Sequence, residues 1–295
     1  MAFQLNTDRS TAREVRRLAR KELESARKAL TRAPRPTDEA IHDARKSVKK
    51  VRAILHLVET DRGHGLSGSR KSLRAVSRTL SDLRDAKAMI DTFETLVHEH
   101  SRLFDARTRA RVRRRLASGK RAAARTAAAD GSIANAARQL RQLRRAAARW
   151  RPAHDGFKAL APGIRKAHRD ARRTLARARR RNGDTEYHEW RKALKTQWYA
   201  LRLVGGASAA VGRDIRALDS AETWLGDDHN LTVLRALLSA DASVCKSPRE
   251  IDRLGEAVSR SQTRLRRKAI VRTRLILSLS PRDYVRRVER AWRAR

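Results

Sequence analysis

The stretch "IHDARKSVKKVRAILHLV", residues 41–58, decides how the chain is read. It holds seven Ile, Val or Leu residues, five Lys or Arg and two His. On a helix at about 100° per residue, His42, Arg45, Lys46, Lys49, Arg52 and His56 fall within roughly 120° of arc. Ile41, Val48, Val51, Leu55 and Val58 fill an adjoining arc of roughly 100°. One face suits a core, and beside it lies a face of nearly unrelieved positive charge. Salt bridging along the helix is not its purpose, because acids at i,i+4 spacing are missing.

The pattern returns in "YHEWRKALKTQWYALRLV", residues 187–204. There His188, Arg191, Lys192, Lys195, Tyr199 and Arg202 share one arc, and Tyr187, Trp190, Leu194, Leu201 and Val204 share its neighbour. A single helix of this kind reads most simply as amphipathic with a solvated basic face. Recurrence changes that reading: two such helices are expected to face each other across a pocket. Arg forks match phosphate oxygens, Lys adds a point charge and His adds a titratable donor. A flexible chain of phosphates would suit the pocket, with strongly salt-dependent binding.

His188 follows His42 by 146 residues, and "LSDLRDAKAMI" (80–90) aligns with "LGDDHNLTVL" (225–234) at an offset of 145. Two motifs in the same order at nearly the same offset indicate duplication. The expectation is one domain over 1–295, made of units 8–130 and 157–293 joined by a helical connector, 131–156. Arg84 and His229 hold equivalent places and are expected to reach the cleft. Asp82, Asp85, Asp227 and Asp228 are expected to cap helices or hold neighbouring arginines rather than bind metal. Asp82 and Asp227 would brace the pocket from behind. His64, His98, His100, His154 and His168 read as turn or surface residues.

Helix signals dominate the rest, with 13 Gly and six Pro as punctuation. Helices are expected near 8–31, 37–60, 68–100, 104–129, 133–150, 157–181, 185–204, 209–239, 248–278 and 281–293. Their length favours bundles of long helices.

The 295 residues carry 71 Lys and Arg against 32 Asp and Glu, a net charge of +39. Such a surface repels itself unless a polyanion screens it. Nucleic acid, polyphosphate and an anionic membrane surface are the candidate partners. No apolar run approaches a membrane span, the start "MAFQLNTDRS" lacks the pattern of a signal peptide, and the lone Cys245 suits a reducing compartment. A cytoplasmic protein with no membrane partner is expected. Phosphate-cradling, zinc-protease and nucleophile-elbow motifs are missing. No catalytic residue, cofactor or metal is expected; Cys245, beside Lys246, reads as a spectator.

"HDARKSVKKVR" and "HEWRKALK", followed by "LSDLRDAK" and "LGDDHNL" respectively, resemble the CHAD family, the conserved histidine α-helical domain. "RLRRKAIVRTRLILSLSPRDYVRRVERAW" (264–292) is similar to that family's closing helix pair, so the resemblance spans roughly residues 8–292. It implies an all-α fold of two pseudo-symmetric four-helix bundles with a central basic cleft. It also implies binding of inorganic polyphosphate and association with polyphosphate granules. Matched position by position, it gives a phosphate-contact role to His42, Arg45, Lys46, Lys49 and Arg52, and to His188, Arg191, Lys192 and Lys195. The second copy departs at Thr196 and Trp198, where the first has the basic Lys50 and Arg52. The E-x-E-x-K signature of the triphosphate-tunnel domain, fused to some members, is absent. Non-specific nucleic-acid binding stays open as the alternative, through the arginine runs at 107–115 and 172–181.

Overall fold

The computed structural model describes residues 3–33, 36–59, 66–129, 131–205, 208–241, 244 and 247–294, except for the side chains at 59, 67, 81–86, 123–124 and 127–129. The expectations for Arg84, Asp82, Asp85, His64 and Cys245 lie outside what is described. Among the described residues the chain is all-α: α1 (Thr11–Thr31), α2 (Asp38–Glu59), α3 (Ser67–Glu99), α4 (Ala106–Ala129), α5 (Ser132–Ala146), α6 (Gly156–Arg181), α7 (Asp184–Val204), α8 (Ala209–Ser239), α9 (Pro248–Ser278) and α10 (Pro281–Arg293).

Local chemistry starts these helices. Ser208, Ser247 and Ser280 accept the backbone N–H of Val211, Glu250 and Asp283, and proline opens α9 and α10, where its missing N–H costs nothing. Helix α1 begins three residues later than expected, after Ser10, whose hydroxyl accepts from the Arg13 N–H. The residues before it are committed elsewhere. Phe3 and Leu5 are buried, and the Leu5 N–H donates to the Leu203 carbonyl at 2.9 Å. Asp155 accepts the N–H of Thr11 at 2.5 Å and of Gly156 at 2.9 Å. One carboxylate thus joins the starts of α1 and α6, which are 145 residues apart.

Corresponding helices pack in corresponding ways. In the first half α1 packs on α2 and α5, and α2 on α3; in the second α6 packs on α7 and α10, and α7 on α8. Residues 131–156, expected as a connector, supply α5, which lies on α1 and α3. The halves meet where α2 crosses α6 and α7 and where α3 crosses α8. At the first crossing Gly163 rests on the backbone of Leu57; a Cβ there would come within 2.3 Å of the Leu57 carbonyl oxygen.

Among the described residues the buried apolar side chains form two clusters, and both draw on both halves. The larger takes Leu73, Val76 and Leu80 from α3 and Leu218, Ala221 and Leu225 from α8. The smaller takes Met89, Phe93 and Leu96 from α3, Leu231, Leu234 and Leu238 from α8, and further residues from α4 and α9. Each long helix passes from one core to the other through its polar motif, "SDLRDAK" on α3 and "GDDHN" on α8. On α8 the motif therefore marks a waist at which the apolar stripe is interrupted.

Candidate anion-binding cleft

At this waist α2 and α7 present their basic arcs. Arg45 and Arg191 reach the same step of the long helices. The Arg45 guanidinium donates to the Leu80 carbonyl at 2.8 Å. Arg191 lies against Gly226, whose notional Cβ would stand 3.1 Å from Nη2 and 3.4 Å from Cζ. A guanidinium can rest there because glycine leaves the surface of α8 bare. One helical turn before Gly226, on the same face of α8, sits Glu222.

Glu222 is 6% exposed. It holds the Arg191 guanidinium at 3.2 Å and the Lys195 ammonium in direct contact. Burial works against its ionisation, but Lys195, Arg191 and Lys49 outweigh it and keep the carboxyl below its ordinary range. Across from it Lys49 feels the opposite imbalance. Loss of water, then the facing Lys195 and Arg45, push its ammonium down to about 7; Glu222 opposes this and Arg191 adds to it. Three half-buried cations from two helices, Lys49, Arg191 and Lys195, thus act on one buried carboxylate.

His188 flanks this group. Its ring lies 3.8 Å from that of His229, tilted by 33°. Burial, then His229, Lys192 and Arg191, lower its pKa to about 4, so it is neutral at pH 7. Its Nδ1 is buried and meets no hydrogen-bond partner among the described residues.

The other expected contacts have different surroundings. Lys46 and Lys192 are exposed, and Lys192 pairs with Glu189 of its own helix at 2.7 Å. His42 is exposed and lines a cavity of about 600 Å³, between α2, α3, α8 and α9, with Asp38, Asp91 and Asp227. Lys50 turns to α1 and bonds Glu22 at 2.8 Å. Arg52 is exposed as a residue, yet nearby protein strips water from its guanidinium; that loss, with Arg74 and Arg70, lowers its pKa. His56 is half-buried.

The far end of α7 is closed by aromatic rings. Phe3 meets buried Tyr199 edge-on with centroids 6.1 Å apart, and Trp198 lies 4.6 Å from Tyr199. Arg202 sits over Trp198 at 4.6 Å and faces Phe3 and Tyr199 at 5.9 Å. Burial first pushes the Tyr199 hydroxyl up. Trp198 thus serves as a stacking surface for Arg202 at the position where α2 carries Arg52.

Several roles were not read from sequence. Glu222 carried one signal, its i,i+4 spacing from Gly226, which acquires meaning only once Arg191 is seen above both. Asp228 is 1% exposed and holds Arg266 of α9 at 2.6 Å; Arg266 also bonds Asp184 at 2.5 Å and lies 4.3 Å over Tyr187. Burial holds the Asp228 carboxyl up at about 6 against the pull of Arg266. This agrees with the expectation that Asp228 holds an arginine, whereas Asp227 is exposed. His168 is neither a turn nor a surface residue. It is fully buried, stacks on Tyr284 at 4.0 Å, and bonds Gln197 and the Leu279 carbonyl, both at 2.9 Å. The Arg- and Lys-rich sequence around it hides the apolar face of α6. Among the described residues no three His, Cys, Asp or Glu are grouped to hold a metal ion.

The architecture has solved counterparts. PptA from Streptomyces chartreusis is similar with a TM-score of 0.60 at 20% identity, over 96% of this chain and 100% of that one. The CHAD domain from the plant Ricinus communis is similar with a TM-score of 0.55 at 18% identity, over 100% of this chain and 96% of that one. No curated protein sequence matches the chain. The model of the CHAD domain matches residues 14–239, a span that includes both basic helices and both polar motifs, and the chain belongs to the CHAD domain family.

Proposed function

We propose that the protein binds inorganic polyphosphate, without transforming it, in the cleft between α2 and α7. The observation that carries this reading is the convergence of Lys49, Arg191 and Lys195 on one buried carboxylate, with Arg45 beside Lys49 and Lys49 depressed to about 7. A linear polyanion supplies several charges along a narrow path. Arg45 and Arg191 offer planar forks for phosphate oxygens, and Lys49 and Lys195 offer point charge. Units 8–130 and 157–293 supply one wall each. Recruitment to polyphosphate granules in the cytoplasm follows from this binding.

Nucleic acid is the second reading, favoured by basic residues facing away from the cleft. Arg107 and Arg114 on α4, and Arg173, Arg179, Arg180 and Arg181 on α6, are exposed. Competition at physiological salt decides between the two. Long-chain polyphosphate is expected to displace a labelled polyphosphate probe far better than duplex DNA of equal total charge. Equal displacement would overturn recognition by the cleft. Phosphate release on incubation with polyphosphate and a divalent metal would overturn the non-catalytic part.

A further inference from the structure

The C-terminal half of α9 has a surface that the cleft does not use. Residues 257–278 contain seven Arg or Lys and no Asp or Glu. Val271 and Leu275 are 66% and 74% exposed, far above the other large apolar residues on the described surface. They lie at i,i+4 and share the centre of the exposed arc. Arg267 and Arg274 flank Val271 on one side and Lys268 and Arg272 on the other, within roughly 100°. Arg267, Arg272 and Arg274 meet no acidic partner among the described residues, whereas Arg264, nearer the middle of the helix, is held by Glu99 at 2.5 Å. Lys268 lies 5.9 Å over the half-buried Trp224 of α8, beside a shallow groove along the same face.

We propose that this face docks on an anionic lipid bilayer. Charge alone would suit any polyanion, but phosphate backbones gain nothing from two aliphatic side chains held out in water. A bilayer uses both features: Val271 and Leu275 enter the headgroup boundary while the flanking Arg and Lys stay with anionic headgroups. A second copy of the chain is disfavoured, since its own face would bring the same charge. The absence of an apolar run long enough to span a membrane is no obstacle, because a surface contact needs none. The face lies on a different helix from the two walls of the cleft, so the proposal stands independently of the polyphosphate reading.

The test is co-sedimentation with phosphatidylcholine vesicles containing about 30 mol% phosphatidylglycerol. Binding is expected to these vesicles and not to pure phosphatidylcholine. The double variant Val271→Ser/Leu275→Ser keeps every charge and replaces no buried residue. It is expected to bind the anionic vesicles about tenfold more weakly, with unchanged Tm and unchanged polyphosphate affinity. Failure of the wild-type protein to bind anionic vesicles would overturn the proposal. Equal vesicle binding by the double variant would do so too, reducing the effect to adsorption of bare charge. Loss of duplex-DNA affinity in that variant, with vesicle binding intact, would assign the face to nucleic acid instead.

Discussion

The Arg191 guanidinium lies on the bare backbone of Gly226, close enough that one added methyl group would stand 3.1 Å from its nitrogen. Arg191 thereby reaches Glu222 at 3.2 Å one turn away. Gly226→Ala should shift Arg191 by a few tenths of an ångström. A helix interior gains up to about 1 kcal/mol from Gly→Ala, which offsets the crowding. Thermal unfolding should therefore show a Tm near that of the wild type, while a titration with labelled polyphosphate shows several-fold weaker binding. Unchanged affinity would mean that Arg191 does not contact the polyanion from this position.

Lys49 predicts a pH dependence. Its pKa of about 7 in the unliganded fold must rise when phosphate oxygens approach, so binding takes up a proton above pH 7. Affinity should fall as pH rises from 7 to 9, by at most about tenfold per pH unit. Lys49→Arg, which stays charged, should flatten that profile; calorimetry in buffers of different ionisation enthalpy would count the proton. For the unliganded fold the sign is reversed. A lysine depressed below its unfolded value makes the fold gain stability as pH rises from about 7 toward 10.5.

Glu222 is the carboxylate shared by Arg191 and Lys195. Glu222→Gln would take the carboxylate from the half-buried Arg191 and Lys195; breaking a fully buried pair costs about 3–5 kcal/mol, which is the upper bound here. The unliganded variant should melt well below the wild type. Polyphosphate should then raise its Tm by more than it raises that of the wild type, because the ligand replaces the missing charge. A smaller ligand-induced rise in the variant would show that Glu222 organises the cations for binding.

His168 is fully buried, and loss of water is the main cause that lowers its pKa to about 4. In the unfolded chain it protonates near its ordinary 6.5. Its contribution is present above that value and lost as pH falls from 6.5 to 4, by about 3 kcal/mol in all. His168→Phe keeps a ring on Tyr284 and removes the titration. The urea midpoint of this variant should depend less steeply on pH over that interval.

Gly163 meets the Leu57 backbone where α6 crosses α2. Backbone cannot rotate aside as a side chain can. Gly163→Ala should therefore destabilise by about 3 kcal/mol, although alanine is the better helix former. Chemical denaturation measures this directly, and a neutral result would show that the two halves are free to separate slightly.

Much of this was written in local periodicity. A 3.6-residue repeat put Arg45 and Lys49 on one face of α2 and Val48 and Val51 on the next, and repeated the arrangement on α7. That repeat also located the helices, since serine caps and opening prolines act within a single turn. Interactions of this range depend on neighbours in the chain, so they were legible before any folding was known. Which of the basic residues would lose water and counter-charge depended on the crossings of α2, α7 and α8. Lys50 shares a helix with Lys49, yet it bonds Glu22, because the ring of helix positions that faces α1 begins there. Tyr199 and Arg202 continue the arc of Lys195, yet Phe3, nearly two hundred residues earlier in the chain, covers them. Glu222 was an ordinary helical acid until Arg191 and Lys195 closed over it. Helical faces follow from spacing, but the charge balance of a buried site is a sum over distant segments, and only the tertiary structure brings those segments together.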